Sequence, residues 1–320
     1  MWIVTGANGF IGSAIVSELN KKGLDDLIVT DTVRLNERSY LLADKKYRQF
    51  LHTDELFAFL AKEKSLDGVI HMGACSTTTE MDVEFLRRNN TEYTQKLFEI
   101  CRERQVPFIY ASSGATYGDG KHGFDDQKSS RDYKPLNPYG WSKLNFDLWV
   151  EKEKDFPPNW FGLRFFNVFG PNEDHKGEMS SVVYKAFNQI NKSGSLRLFK
   201  SHRPEYKDGE QLRDFVYVKD ITRWVCELME TKTIQSGIYN QGFGVARTWL
   251  DLAKAVFHEM GRPLNIEWID VPANIRDQYQ YVTEAKMTKW VSTGGSKPQW
   301  SLEKGIHDYV QGYLVPGRHL

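Results

Sequence analysis

Short apolar runs recur along the chain at residues 2–5, 27–30, 68–72, 106–111 and 160–165. Between them apolar residues fall at helical spacing, as in Ile11, Ala14, Ile15 and Leu19, or Leu97, Ile100 and Cys101. A short run without polar alternation suits a strand covered on both faces, and a 3.6-residue period gives a helix one stripe to lay against it. Strand, helix, strand in this alternation predicts βαβ units, and so an α/β fold with a Rossmann-type, doubly wound parallel sheet.

After Phe166 the texture changes. Loops rich in Gly, His, Lys and Glu at 170–180 and 200–211 interrupt the elements, yet 214–218 and 237–240 again read as strands separated by a helix. The expected division is a sheet domain of residues 1–166 and 214–243, with a smaller interleaved α/β unit, 167–213 and 244–320, capping it and binding substrate.

With 320 residues, 40% of them hydrophobic, the chain can bury a full core without metal or disulfides. Its 42 Lys+Arg balance 42 Asp+Glu, so no global field draws nucleic acid or an anionic membrane, and any phosphate site must be local. Cys75, Cys101 and Cys226 form no C-x-x-C pair, which argues against a disulfide framework and a zinc site and favours a reducing, cytoplasmic setting. Nowhere do eighteen apolar residues run together, and no basic stretch precedes an apolar one at the start, so membrane spanning and secretion are not expected.

The first strand runs into Gly6, Gly9 and Gly12, with Phe10 and Ile11 between the last two. Glycines placed between a strand and an amphipathic helix permit a tight turn, backbone approach to a pyrophosphate and close helix packing. The G-x-x-G-x-x-G spacing is a weak fingerprint alone, and its position makes it a dinucleotide turn. Asp31 ends the second strand, where a carboxylate can hold the ribose hydroxyls of NAD; Arg34 and Arg38 follow, where a guanidinium can hold the 2′-phosphate of NADP. Composition leaves that choice open. Gly73 and Ala74, past the strand ending near His71, would let the cofactor pass, and His71 itself reads as a packed strand residue.

The strand at 106–111 delivers Ser112 and Ser113, and Asn137-Pro138-Tyr139 opens a long helix carrying Lys143. Four residues apart, Tyr139 and Lys143 share a helical face. A phenol titrating near 10 is a poor base at neutral pH, and an ammonium beside it, with a positive nicotinamide, is expected to lower it.

In this order the motifs resemble the extended short-chain dehydrogenase/reductases over nearly the whole chain. Gly73 to Glu80, Tyr110 to Ser113 with Ala115 to Gly118, Phe166 to Pro171, His175-Lys176-Gly177 and Arg213 to Val218 are similar to the ADP-L-glycero-D-manno-heptose 6-epimerases. The resemblance implies bound NADP, with Arg34 and Arg38 at its phosphate and Asn90 among the cofactor contacts. It also implies an ADP-heptose substrate, a homo-oligomer, and a cytoplasmic role in building the lipopolysaccharide inner core.

Carried over by residue, Tyr139 is the phenolic acid/base, Lys143 its partner, Ser113 the holder of the reacting oxygen and Lys176 a second acid/base. Asn167 then contacts substrate and Arg213 its diphosphate, with His175 a structural or weak substrate contact. Tyr279 either closes over the sugar or packs within the cap. Two departures stand out: Gly114 replaces an alanine, and 201–211 is longer than usual. The rival enzymes on this scaffold are nucleotide-sugar 4-epimerases and 4,6-dehydratases; a non-catalytic NADP-binding protein would not need Ser113, Tyr139 and Lys143 together.

Overall fold

A computed structural model describes residues 1–276 and 279–320. Its main sheet is built from β1 (Trp2–Thr5), β2 (Leu27–Asp31), β3 (Gln49–His52), β4 (Gly68–His71), β5 (Phe108–Ser113) and β6 (Trp160–Phe165), joined by a strand from much later in the chain. Four short strands come between: β7 (Asn167–Phe169), β8 (Leu196–Phe199), β9 (Leu212–Arg213) and β10 (Phe215–Tyr217). The seventh sheet member, β11 (Gly237–Gln241), is followed by β12 (Arg247–Thr248) and β13 (Ile266–Ile269).

The sheet order is β11-β6-β5-β4-β1-β2-β3, every neighbour parallel. Order therefore reverses between β1 and β4, the switch point where the ends of two loops part and leave a crevice.

The apolar runs predicted as strands are uniform because both faces are covered. In β1, Ile3 joins a core with Phe98, Phe108 and Phe146 under the helices Tyr93–Glu103 and Pro138–Val150. Val4 joins the opposite core with Ile15, Leu19 and Trp224 under the helices Phe10–Lys21 and Val218–Glu230. Each such aliphatic side chain contributes about 1.5–3 kcal/mol by leaving water.

Strand β3 escapes the pattern because Gln49 and His52 at its ends are polar, as suits an edge strand with one free side. The 214–218 run does form a strand, but β10 pairs with β7 in a separate two-stranded sheet. A further core, containing Val183, Leu252, Ile306 and Tyr309, gathers the helices Val182–Ser193, Trp249–Glu259 and Leu302–Tyr309. None of the helices described is long and apolar enough to cross a membrane.

Candidate active site

At the switch point, β1 ends in Gly6 with φ +64°, where a Cβ would lie 2.7 Å from the Gly73 nitrogen; at Gly12 a Cβ would lie 2.0 Å from the Gly6 carbonyl oxygen. Side chains are excluded at both positions, so the turn packs directly on the loop after β4. The helix starting at Phe10 has no side chain bonded to its first turn, which leaves amides free to receive an anion. Gly6, Gly9, Phe10, Ile11, Gly12, Gly73 and Ala74 all line one cleft of about 870 Å³.

Asp31 closes the far end of this cleft. Its carboxylate accepts from the Asn8 and Val33 amides at 3.0 Å each, bonds that oppose the upward push of burial on its pKa. Asn8, unnoticed between the glycines, also donates to the carbonyls of Val33 (3.2 Å) and Arg38 (2.7 Å) and so shapes the loop after β2. That loop turns Arg38 into the cleft and leaves Arg34 exposed outside it. Arg38 Nη1 and His175 Nδ1, on residues that line the cleft, are buried without a protein partner, as is Asn8 Oδ1 in the glycine turn. Together with the free helix amides, they fit a dinucleotide.

Asn90 lies a layer behind. It accepts from the Cys75 amide and donates to the Cys75 carbonyl and the Ser142 hydroxyl, each at 2.9 Å. The residue expected at the cofactor therefore clips the loop after β4 to the Pro138–Val150 helix and does not line the cleft. His71 is packed as expected, 2.6 Å from Thr5 Oγ1 and 2.9 Å from Thr94 Oγ1, and burial drives its pKa down to about 3, so it stays neutral.

Strand β5 ends at Ser113, whose hydroxyl accepts from the Ala115 amide at 3.1 Å. Across from it, Asn137 caps its helix through the Gly140 amide at 2.8 Å, and Pro138 sits in the first turn, which puts Tyr139 and Lys143 on the cleft wall. The expected lowering of Tyr139 is not what the protein produces alone. Burial pushes the phenol above its ordinary value, and a hydrogen bond with Ser113 pulls the other way. Lys143 beside it is desolvated too: burial lowers it to about 8, and its Nζ donates to the Ala111 carbonyl at 2.9 Å.

Behind Lys143, and missed in the sequence, stands Asp147, which raises the lysine's pKa against that burial. Its carboxylate accepts from Tyr110 and Ser112 hydroxyls at 2.9 Å and from Arg164 Nε at 3.0 Å, all buried. Arg164 also donates to Ser130 at 2.7 Å and to Tyr117 at 3.2 Å. The only cue was the spacing of Asp147, four residues beyond Lys143.

A second cleft of about 390 Å³ opens beside the first. Arg213, Tyr279, Gln280 and Thr283 line it, and Ser113, Tyr139 and Asn167 line both clefts. Asn167 accepts from Thr283 Oγ1 at 3.3 Å. Arg213 is held by the carbonyls of Leu212 (2.8 Å) and Gln280 (2.5 Å), with its guanidinium 5.5 Å from the Trp249 ring and 5.3 Å from the Tyr279 ring. Tyr279 is thus both wall and packing: its hydroxyl accepts from Trp249 Nε1 at 3.2 Å, while its neighbours Asp277 and Gln278 lie outside the described residues. The long 201–211 segment folds back so that the His202 amide donates to the Tyr281 hydroxyl at 2.9 Å.

Lys176 and His175 line the first cleft from the loop after β7. Burial lowers Lys176 while Glu173 raises it, and its Nζ sits 5.3 Å from the Phe10 ring. His175 is brought down to about 4, by burial first and then by Arg38. Among the described residues no cluster of His, Cys, Asp and Glu could hold a metal ion.

The NAD dependent epimerase/dehydratase family model matches residues 2–242. The ADP-L-glycero-D-manno-heptose-6-epimerase of Fusobacterium nucleatum is 44% identical, over 98% of this chain and 98% of its own. That of Nitratidesulfovibrio vulgaris is 46% identical, again over 98% of each. Among solved structures, the Helicobacter pylori ADP-L-glycero-D-manno-heptose-6-epimerase aligns at a TM-score of 0.81 and 26% identity, covering 97% of this chain and 95% of that one. A UDP-N-acetylglucosamine 4-epimerase from Methanobrevibacter ruminantium, at 24% identity and a TM-score of 0.82 over 98% of each chain, shares the fold.

Proposed function

The chain belongs to the NAD dependent epimerase/dehydratase family, and from that membership we propose that it inverts C-6 of ADP-D-glycero-D-manno-heptose to give the L-glycero epimer, using tightly held NADP. The observation that carries this reading is the junction: Ser113, Tyr139 and Asn167 each face both a dinucleotide-sized cleft and the smaller cleft with Arg213 at its wall.

Gly6 to Gly12 and the free helix amides would hold the cofactor's pyrophosphate, and Arg38, rather than the exposed Arg34 outside the cleft, is assigned to its 2′-phosphate. Bound there, a nicotinamide cofactor would supply reversible hydride transfer at the substrate's C-6 and a positive ring near the Tyr139 phenol. Tyr139 takes the hydroxyl proton, Ser113 holds the same oxygen by hydrogen bond, and Lys143 supplies a cation behind the phenol. In the second cleft Arg213 binds the substrate diphosphate.

The two epimers present their C-6 hydroxyls in different directions when the C-6 hydrogen faces the same nicotinamide. Misplacing a proton-transfer group by about 1 Å costs on the order of a hundredfold, so one phenol serves one epimer well and the other badly. Lys176, whose buried ammonium is pushed toward the range of a useful base, is the second acid/base. A 4,6-dehydratase is disfavoured because Gly114, Ala115 and Thr116 follow Ser113 where that chemistry needs acids. The enzyme works as a homo-oligomer in the cytoplasm, supplying lipopolysaccharide core assembly.

Incubation with the D-glycero substrate and separation of the epimers tests the activity. Tyr139→Phe and Lys176→Met should each slow epimerisation by roughly 10²–10⁴ with cofactor still bound. Wild-type turnover by Lys176→Met would leave Tyr139 to handle both proton transfers.

A further inference from the structure

Lys176 sits in a short 3-10 helix, Asp174–Met179, interrupted at Gly177, and three consecutive residues just before its neighbour His175 are each gripped by hydrogen bonds. The Leu320 amide donates to Asn172 Oδ1 at 2.8 Å, while Asn172 Nδ2 donates to Ser13 Oγ at 2.9 Å. Ser13 lies in the first turn of the helix that starts at Phe10, so one amide joins the last residues of the chain to the cofactor turn. Asn172 does this at φ +78°, in the left-handed region where only a few non-glycine residues are found.

Next in the loop, Glu173 is buried and accepts from the Ser181 hydroxyl at 2.6 Å and the Gly170 amide at 3.2 Å; Tyr309 hydrogen-bonds it from the neighbouring helix. Asp174 follows, accepting from the Tyr40 hydroxyl at 2.7 Å, with His319 Nε2 3.3 Å away. The Tyr40 and His319 rings lie 4.5 Å apart, which ties the loop bearing Arg38 to the same point. Leu320 is anchored in the core, 9% exposed, with Phe169, Tyr217 and Tyr309.

We propose that residues 309–320 form a clasp that fixes the 172–176 loop against the cofactor turn, with Asn172, Leu320 and His319 as positioning residues for Lys176. None of the three lines either cleft. The clasp acts on proton transfer by setting where the Lys176 ammonium stands, and it rests on the acid/base reading of that lysine.

Two variants of the full chain release it from opposite ends. Leu320→Asp puts a charge into the apolar seat. Asn172→Gly keeps the left-handed backbone and removes both hydrogen bonds. Each should lower kcat by about tenfold or more, as a displaced proton-transfer group does, with KM for the sugar nucleotide within twofold. Amide exchange should quicken in residues 170–181 and stay unchanged in 108–150, and Leu320→Met should restore wild-type kcat and exchange.

The decisive measurement is the double variant. If the clasp works through Lys176, adding Leu320→Asp to Lys176→Met costs nothing further; an undiminished extra loss overturns the proposal, as does wild-type kcat in both clasp variants. Failure of the acid/base reading is seen separately, as wild-type turnover by Lys176→Met alone, and it takes the catalytic role of the clasp with it even if exchange quickens.

Discussion

Lys143 should make the protein less stable at neutral pH than at alkaline pH. Its side chain is 5% exposed, and burial moves the ammonium from 10.5 to about 8. Between those values the unfolded chain still holds the proton that the folded chain has lost, so stability rises with pH there; below about 8 both forms are protonated and the whole penalty is present. At 1.36 kcal/mol per unit the penalty is about 3 kcal/mol at pH 7 and falls to about 1 kcal/mol by pH 10. In Lys143→Met no proton binds, and the Ala111 carbonyl loses its donor at a cost of about 1–3 kcal/mol that is the same at every pH.

The difference between wild type and variant therefore carries the lysine's titration, with most other groups cancelling. Urea unfolding at pH 7, 8, 9 and 10 should show wild type gaining about 2 kcal/mol on Lys143→Met across the series. Turnover of the variant should fall by roughly a hundredfold or more throughout. A stability difference that stays flat from pH 7 to 10 would refute the claim that burial governs this lysine.

Arg38→Ala should weaken NADP retention by about 10- to 150-fold, the loss of a charged hydrogen bond, while NAD binding and the Arg34→Ala variant stay near wild type; equal losses of NAD and NADP, read by mass spectrometry of the copurified cofactor, would remove Arg38 from the 2′-phosphate. Gly12→Ala should purify without nicotinamide dinucleotide, because its Cβ would lie 2.0 Å from the Gly6 carbonyl oxygen and push the helix off the turn; full cofactor content would mean the turn is not the pyrophosphate site.

The parallel sheet was legible because a strand covered on both faces must be apolar throughout, and five of the seven sheet strands before and around the switch point obey that. Gln49–His52 does not, since an edge strand has only one neighbour to satisfy. The site was legible for the same topological reason: in a parallel sheet the carboxyl ends of all strands meet on one edge, so Gly6, Gly73, Ser113 and Asn167 had to converge once the strands were placed. Spacing along one helix likewise put Tyr139 beside Lys143.

What sequence could not show is the sense of a field, or which of two equivalent cations faces inward. Counting residues gives Tyr139 an ammonium four positions away, but the sign of its shift depends on desolvation, which is a property of everything packed around it. Arg34 and Arg38 are both near Asp31 in sequence, and the side chain that turns them apart is Asn8, thirty residues from Arg38 and bonded to its carbonyl. The same limit hides the clasp, whose partners Ser13, Asn172 and Leu320 come from three distant parts of the chain. Their hydrogen bonds form only after two cores have brought the parts together, so no local pattern could carry them. Contacts of this kind decide where a loop stands, and on the acid/base reading of Lys176 they set where its ammonium meets the substrate.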